Sequence, residues 1–227
     1  MILTHNVHLV VNTLKSISSR YAPSRILSFN SAHVFKTLQL LKRDGHVSRL
    51  LLINELGLGE GSIKTLIKHL KMEKLIITTQ KGTIMTERGE KIFEEMSQYI
   101  CSETQVPKSS ISIAEYNHAI LLRNLKFAIK QGVEQRDAAI KMGAKGATTL
   151  MYNDGKFLIP GSKFNALKEE KAIEKLLKEN LKPIENDIIV IGSDDNNYIT
   201  AEFASKSAAL QTLENHEDHK GLEFIIR

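Results

Sequence analysis

The sequence predicts an α+β fold in two parts, a helical head with one β-hairpin followed by helices packed on a mixed sheet. Three observations predict it. Apolar residues recur at helical spacing through most of the first 75 positions. The period changes to two over Leu75 to Thr86. After a polar stretch at 101–110, strand-like and helix-like segments alternate to the end of the chain.

In the head, HNVHLVVNTLKSISS places Val7, Val10, Val11, Leu14 and Ile17 on a helix over 4–19, with Thr4 as N-cap. SAHVFKTLQLLKRDG gives a second helix on Val34, Phe35, Leu38 and Leu41, capped by Ser31 and stopped by Gly45. Ser48 caps a third, with Leu51, Leu52 and Leu56 in it. GLGEGSIKTLIKHLKMEKLI follows, with three glycines in five residues. Its helix, about 60–74, buries Ile63, Leu66, Ile67 and Leu70. Gly57, Gly59 and Gly61 are expected to supply a sharp turn, where a Cβ is costly at positive φ. Residues 75–86 form two short strands around Lys81-Gly82, and Thr86 caps a helix running to about Tyr99.

CSETQVPKSS, residues 101–110, is polar and aperiodic, which places a linker there between domains at 1–100 and 111–227. In the second domain Ile111 to Leu125 is strand-like and Val133 to Gly143 a short helix. Asn153-Asp154-Gly155 marks a hairpin within Ala147 to Gly161. Leu167 to Leu181 is a helix, and the unbroken apolar run of DIIVIGS a buried strand. Ile199 to Leu213 is an Ala-rich helix and Leu222 to Arg227 a last strand.

The order helix, helix, turn, helix, hairpin, helix is that of a winged helix-turn-helix. Such a domain lays its third helix in the major groove and its hairpin on the DNA backbone. Residues 1–100 hold 14 Lys/Arg against 8 Asp/Glu, whereas 101–227 hold 17 against 18, so the excess positive charge lies in the head. Ser62, Lys64, Thr65, Lys68, His69 and Lys71 are expected on the outward face of the third helix, and Lys81 at the hairpin tip. Lys68, Lys71 and Lys81 suit phosphates, while Ser62, Lys64 and Thr65 lie nearest the helix N-terminus that meets base edges.

GLGEGSIKTLIKHLKMEKLI and TERG (Thr86 to Gly89) resemble the turn, recognition helix and post-wing helix of bacterial and archaeal winged-helix transcription regulators. The whole chain also resembles an uncharacterised archaeal family with such a head and a C-terminal α+β domain of unknown function. The resemblance implies a regulator whose second domain senses a small-molecule effector or mediates dimerisation. It brings no ligand with it, and this wing carries one lysine, fewer than many relatives have. Double-stranded DNA and a second copy of the chain are therefore the expected partners. The stripe on 4–19 needs cover, either from that second copy or from the helix after the wing.

Other chemistry is weaker. His216-Glu217-Asp218-His219 fits no zinc spacing and reads as a polar loop. GSDDNN, Gly192 to Asn197, follows a strand and precedes a helix, where ligands bind, but its Asp and Asn also cap helices. GAKGATT lacks the phosphate-loop pattern. Cys101 is the one cysteine, so no internal disulfide forms, and the usage fits a reducing cytoplasm. No catalytic signature stands out, and no metal or cofactor is expected. An enzyme with its site in the second domain and a protein-interaction module are the competing readings. No run approaches about 20 apolar residues, so no membrane partner is expected. MILTHNVHLVV does not read as a signal peptide.

Overall fold

A computed structural model describes residues 4–19 and 27–223, and the side chains of residues 10–19 and 27–215. The α+β class holds: the chain forms helices, a two-stranded sheet and a five-stranded sheet. It divides into two compact units, Met1–Ser97 and Gln98–Arg227.

The first unit runs α1 (Thr4–Ile17), α2 (Ser31–Asp44), α3 (Arg49–Leu56), α4 (Glu60–Met72), β1 (Ile76–Thr79), β2 (Gly82–Met85) and α5 (Glu87–Ser97). Val10, Val11, Leu14 and Ile17 are buried, because α1 packs on α2, α4 and α5 of its own chain. Of the two alternatives for this stripe, the chain's own helix after the wing supplies cover at these four positions, together with α2 and α4; the side chain of Val7 lies outside the described residues. Asn30, not Ser31, caps α2: its side chain accepts from Ala32 N at 3.0 Å, and His33 Nδ1 stands 3.2 Å from Asn30 N. Gly45 stops α2 at φ 70° and Ser48 caps α3, as the sequence predicts.

The hairpin is pinned on one side by Val47, which exchanges both backbone hydrogen bonds with Thr83 at 2.9 Å. That close approach explains Gly82, whose Cβ would stand 2.9 Å from Val47 O. TERG also acquires a physical meaning. Thr86 Oγ1 donates to Lys74 O at 2.7 Å and accepts from Gly89 N at 3.2 Å, so Thr86 caps α5 and ties it to the start of the hairpin. A Cβ on Gly89 would lie 2.3 Å from Leu75 O.

The second unit runs β3 (Ile100–Val106), β4 (Tyr116–Leu122), a 3-10 turn (Lys126–Ala128), α6 (Val133–Lys141), β5 (Gly146–Asn153), β6 (Lys156–Leu158), α7 (Lys171–Leu181), β7 (Ile188–Asp194) and α8 (Tyr198–Glu223). The strand order is β3-β4-β7-β5-β6, and every pairing is antiparallel rather than mixed. The expected linker at 101–110 is for the most part β3, an edge strand paired with β4. The expected last strand is also absent from Leu222 and Glu223, which end α8; residues 224–227 lie outside the described residues.

Helices cover both faces of this sheet. On one, Ile173, Leu177 and Leu181 of α7 pack on Ala119, Leu121, Ile189 and Ile191. On the other lie α6 and α8, with Ala139, Ala144 and Ala204 in contact. The central strand β7 is buried along its whole length, as its unbroken apolar run predicts. Gly192 lets α8 press onto it, since a Cβ there would stand 2.4 Å from Ala201 O.

Candidate functional site

Two places gather chemistry, one in each unit. In the first unit it is α4 and the hairpin. Of the turn glycines, only Gly57 has a left-handed φ, 63°, at the end of α3. Gly59 has φ −66° and begins α4, Gly61 sits in its first turn, and a Cβ on either meets open space. The expectation of three glycines forced by positive φ is thus corrected to one.

At 100° per residue, Gly61, Lys64, Thr65, Lys68 and Lys71 share the side of α4 opposite the buried Ile63, Leu66 and Leu70. Lys64, Lys68 and Lys71 are exposed and Thr65 is half-buried, its Oγ1 donating to Gly61 O at 3.0 Å. Ser62 lies off this face, half-buried. Lys64 is engaged with Glu60 at 2.9 Å, and that bond holds the Glu60 carboxyl below its ordinary range. Lys81 is exposed in the two-residue turn between Thr79 and Gly82.

His69 does not join them. It is 5% exposed, its Nδ1 lies 2.8 Å from Ile17 O, and its ring meets Phe29 edge-on at 5.7 Å. One residue after Lys68 is 100° around the helix, which turns His69 towards α1. It fastens α1 to α4 and is withdrawn as an outward contact.

Lys74 belongs with the outward lysines, although the sequence did not single it out. It is exposed, at φ 57°, where α4 gives way to β1. Among the described residues, Lys68, Lys71, Lys74 and Lys81 have no carboxylate in ion-pair range. Arg88 and Lys91, on α5, each have one.

In the second unit, alternation along β3 and β4 turns Glu103, Gln105 and His118 towards α8. There Tyr198, Glu202, Ser205 and Lys206 face them at helical spacing. Lys206 is fully buried, and its ammonium bonds Glu103 and, at 3.2 Å, Glu202 Oε1. His118 Nδ1 lies 2.6 Å from Ser205 Oγ, which donates to Glu202 O at 2.8 Å. Burial first, then the charge of Glu202, pushes the Tyr198 phenol up. One donor atom each from Glu103, His118 and Glu202 lies within 4.8 Å of the others, close enough to share a metal ion. Lys206 already places a positive charge between the two carboxylates. Ser205 is fully buried, so it offers no exposed nucleophile, and Glu103 is the part-exposed member.

The remaining motifs resolve locally. Asp194 accepts from Asn196 N and Asn197 N, each at 3.0 Å, and Asn197 Oδ1 accepts from Thr200 N at 2.8 Å. GSDDNN is thus the cap of α8. Cys101 is exposed on β3. Residues 216–219 continue α8 rather than forming a loop, and their side chains lie outside the described residues. No helix is long and apolar enough to cross a membrane among the described residues.

Residues 113–213 match the model of a family described as a domain of unknown function, DUF4443. No curated protein matches the chain. Among solved structures, a hypothetical protein from Pyrococcus horikoshii OT3 aligns with a TM-score of 0.65 at 23% identity, over 83% of this chain and 100% of that one. The chain thus shares its fold with that archaeal protein, and the greater part of its second unit matches a domain whose function is unknown.

Proposed function

We infer that the protein is a DNA-binding transcription regulator. In this reading the first unit is a winged helix-turn-helix, with α4 as the recognition helix and β1–β2 as the wing. The observation that carries it is the set Lys68, Lys71, Lys74 and Lys81. These are four exposed lysines on one helix, its end and the adjoining hairpin, without a carboxylate partner among the described residues. A polyanion laid along this face would neutralise all four together and release its own counterions. The excess positive charge of the first 100 residues acts in the same direction.

Lys68, Lys71, Lys74 and Lys81 then meet phosphates, while Thr65 and Lys64 stand closest to base edges, Lys64 after exchanging Glu60 for DNA. Ser62 contributes from the side of the helix. The second unit senses a small ligand or mediates dimerisation. Genome-wide binding of the tagged protein tests the reading, followed by gel retardation on the enriched sequences. Discrete sites, retained by the full chain and lost with Lys68→Ala/Lys71→Ala, are expected. Uniform recovery of the genome, with no retardation of any enriched fragment, would remove it.

A further inference from the structure

Beyond the end of β4 the chain turns through Arg123 and Asn124 into the 3-10 turn. There it borders an open cavity of about 490 Å³, lined among others by Asn124, Lys126, Phe127, Lys130, Met151 and Asn186. That volume is in the range of small-molecule sites. The backbone that presents Asn124 and Asn186 to the cavity is pre-formed. Asp187, fully buried, accepts from Arg123 Nη1 at 2.6 Å, Asn124 N at 2.9 Å and Ile184 N at 2.8 Å. Lys126 N donates to Asn186 O at 3.1 Å. These bonds hold Asn124 and Asn186 at left-handed φ, 52° and 69°.

The charge in the cavity is one-sided. Among the described residues, none that lines it is acidic. Lys126 Nζ donates to the neutral Asn153 Oδ1 at 3.0 Å, and Lys130 is exposed. Neither has a carboxylate within ion-pair distance among the described residues. Beside the two ammonium groups, Phe127 leaves 45% of its surface exposed, and Met151 adds a second apolar wall. An exposed aromatic ring next to unneutralised cations suits a flat apolar body carrying an acid group.

We propose that this cavity binds a small aromatic acid, its carboxylate, sulfonate or phosphate held by Lys126 and Lys130 and its flat body against Phe127 and Met151. The proposal rests on the reading of the second unit as ligand-sensing and gives that reading a place and a ligand class. Asn124 and Asn186 offer side-chain amides at the rim for the polar substituents of the ligand.

The test uses the full chain and the fluorophore anilinonaphthalene sulfonate, an aromatic sulfonate. Its binding is titrated by fluorescence and calorimetry in the natural protein and three variants, each verified as folded by circular dichroism. One saturable site per chain is expected. Lys126→Ala/Lys130→Ala weakens it about tenfold or more, as loss of two charge-assisted bonds implies. Lys126→Arg/Lys130→Arg keeps most of the affinity, and Phe127→Ala weakens it. Benzoate displaces the probe and neutral benzyl alcohol does not. Unchanged binding in the double-alanine variant, or equal displacement by the neutral alcohol, overturns the proposal. Gel retardation with the same proteins separates the two readings. A natural protein that retards DNA but shows no saturable site for the probe counts against the pocket alone, and one that binds the probe at a saturable site but retards no DNA counts against the regulator alone.

Discussion

At the scale of a single residue, His33 gives a clear acid response. It is 7% exposed in the capping box of α2, and burial lowers its pKa to about 4. The unfolded chain takes up the proton near 6.5 and the folded chain resists it. The stability His33 contributes is therefore complete above about pH 6.5 and is lost as pH falls towards 4, about 3 kcal/mol in all. Denaturant unfolding at a series of pH values measures the loss. His33→Gln, which can still reach the Asn30 backbone, is expected to flatten the profile, and parallel profiles would acquit His33. Two glycines should respond in opposite directions. At Gly61, in open space at ordinary helical geometry, alanine is expected to stabilise the first unit by about 0.5–1 kcal/mol. At Gly89, against Leu75 O, alanine should cost about 1–3 kcal/mol or prevent folding. Thermal melts of both variants distinguish them. Each of these residues is ordinary in the sequence; what separates them is the neighbour that the fold supplies.

Within the elements, α4 and the hairpin lead to a prediction about salt. If Lys68, Lys71, Lys74 and Lys81 each neutralise a phosphate, each alanine variant should flatten the log–log dependence of DNA affinity on salt by about 0.9. All DNA sequences should weaken alike, and melting should barely move, because these side chains are exposed. Thr65→Ala is expected to shift sequence preference instead, by about 1–3 kcal/mol at one base pair. Slopes that ignore all four lysines would turn the assignment of this face aside. The contact between β3, β4 and α8 leads to a prediction about stability. Lys206→Ala leaves the Glu103 and Glu202 charges facing each other and should cost about 3–5 kcal/mol. Adding Glu103→Gln and Glu202→Gln should recover part of it in chemical denaturation, and no recovery would show that the loss was one of packing.

For the whole molecule, the two compact units and their unequal charge lead to a division of labour. A fragment of residues 98–227 should fold with its five-stranded sheet intact and give no DNA retention at moderate salt, while residues 1–97 should retain DNA. Circular dichroism and gel retardation of the fragments check both halves, and retention by the second fragment would contradict the charge argument. What the sequence determined by itself was local. The stripes of α1, α2 and α4, the stop at Gly45, the Thr86 cap, the Asp154-Gly155 hairpin and the buried run of β7 depend on neighbours a few residues away, and periodicity records them. β3 escaped notice because an edge strand with one half-exposed face has no apolar alternation: CSETQ reads as a linker until β4 satisfies its backbone. His69 looked outward because stripe arithmetic knows one packing face, whereas α4 has a second against α1. Only the tertiary structure could assemble Glu103, His118, Glu202 and Lys206, or Lys126, Lys130 and Phe127 beside Asn186. Those groups meet through strand pairing and helix docking across long stretches of chain, and no spacing in the sequence encodes such a contact.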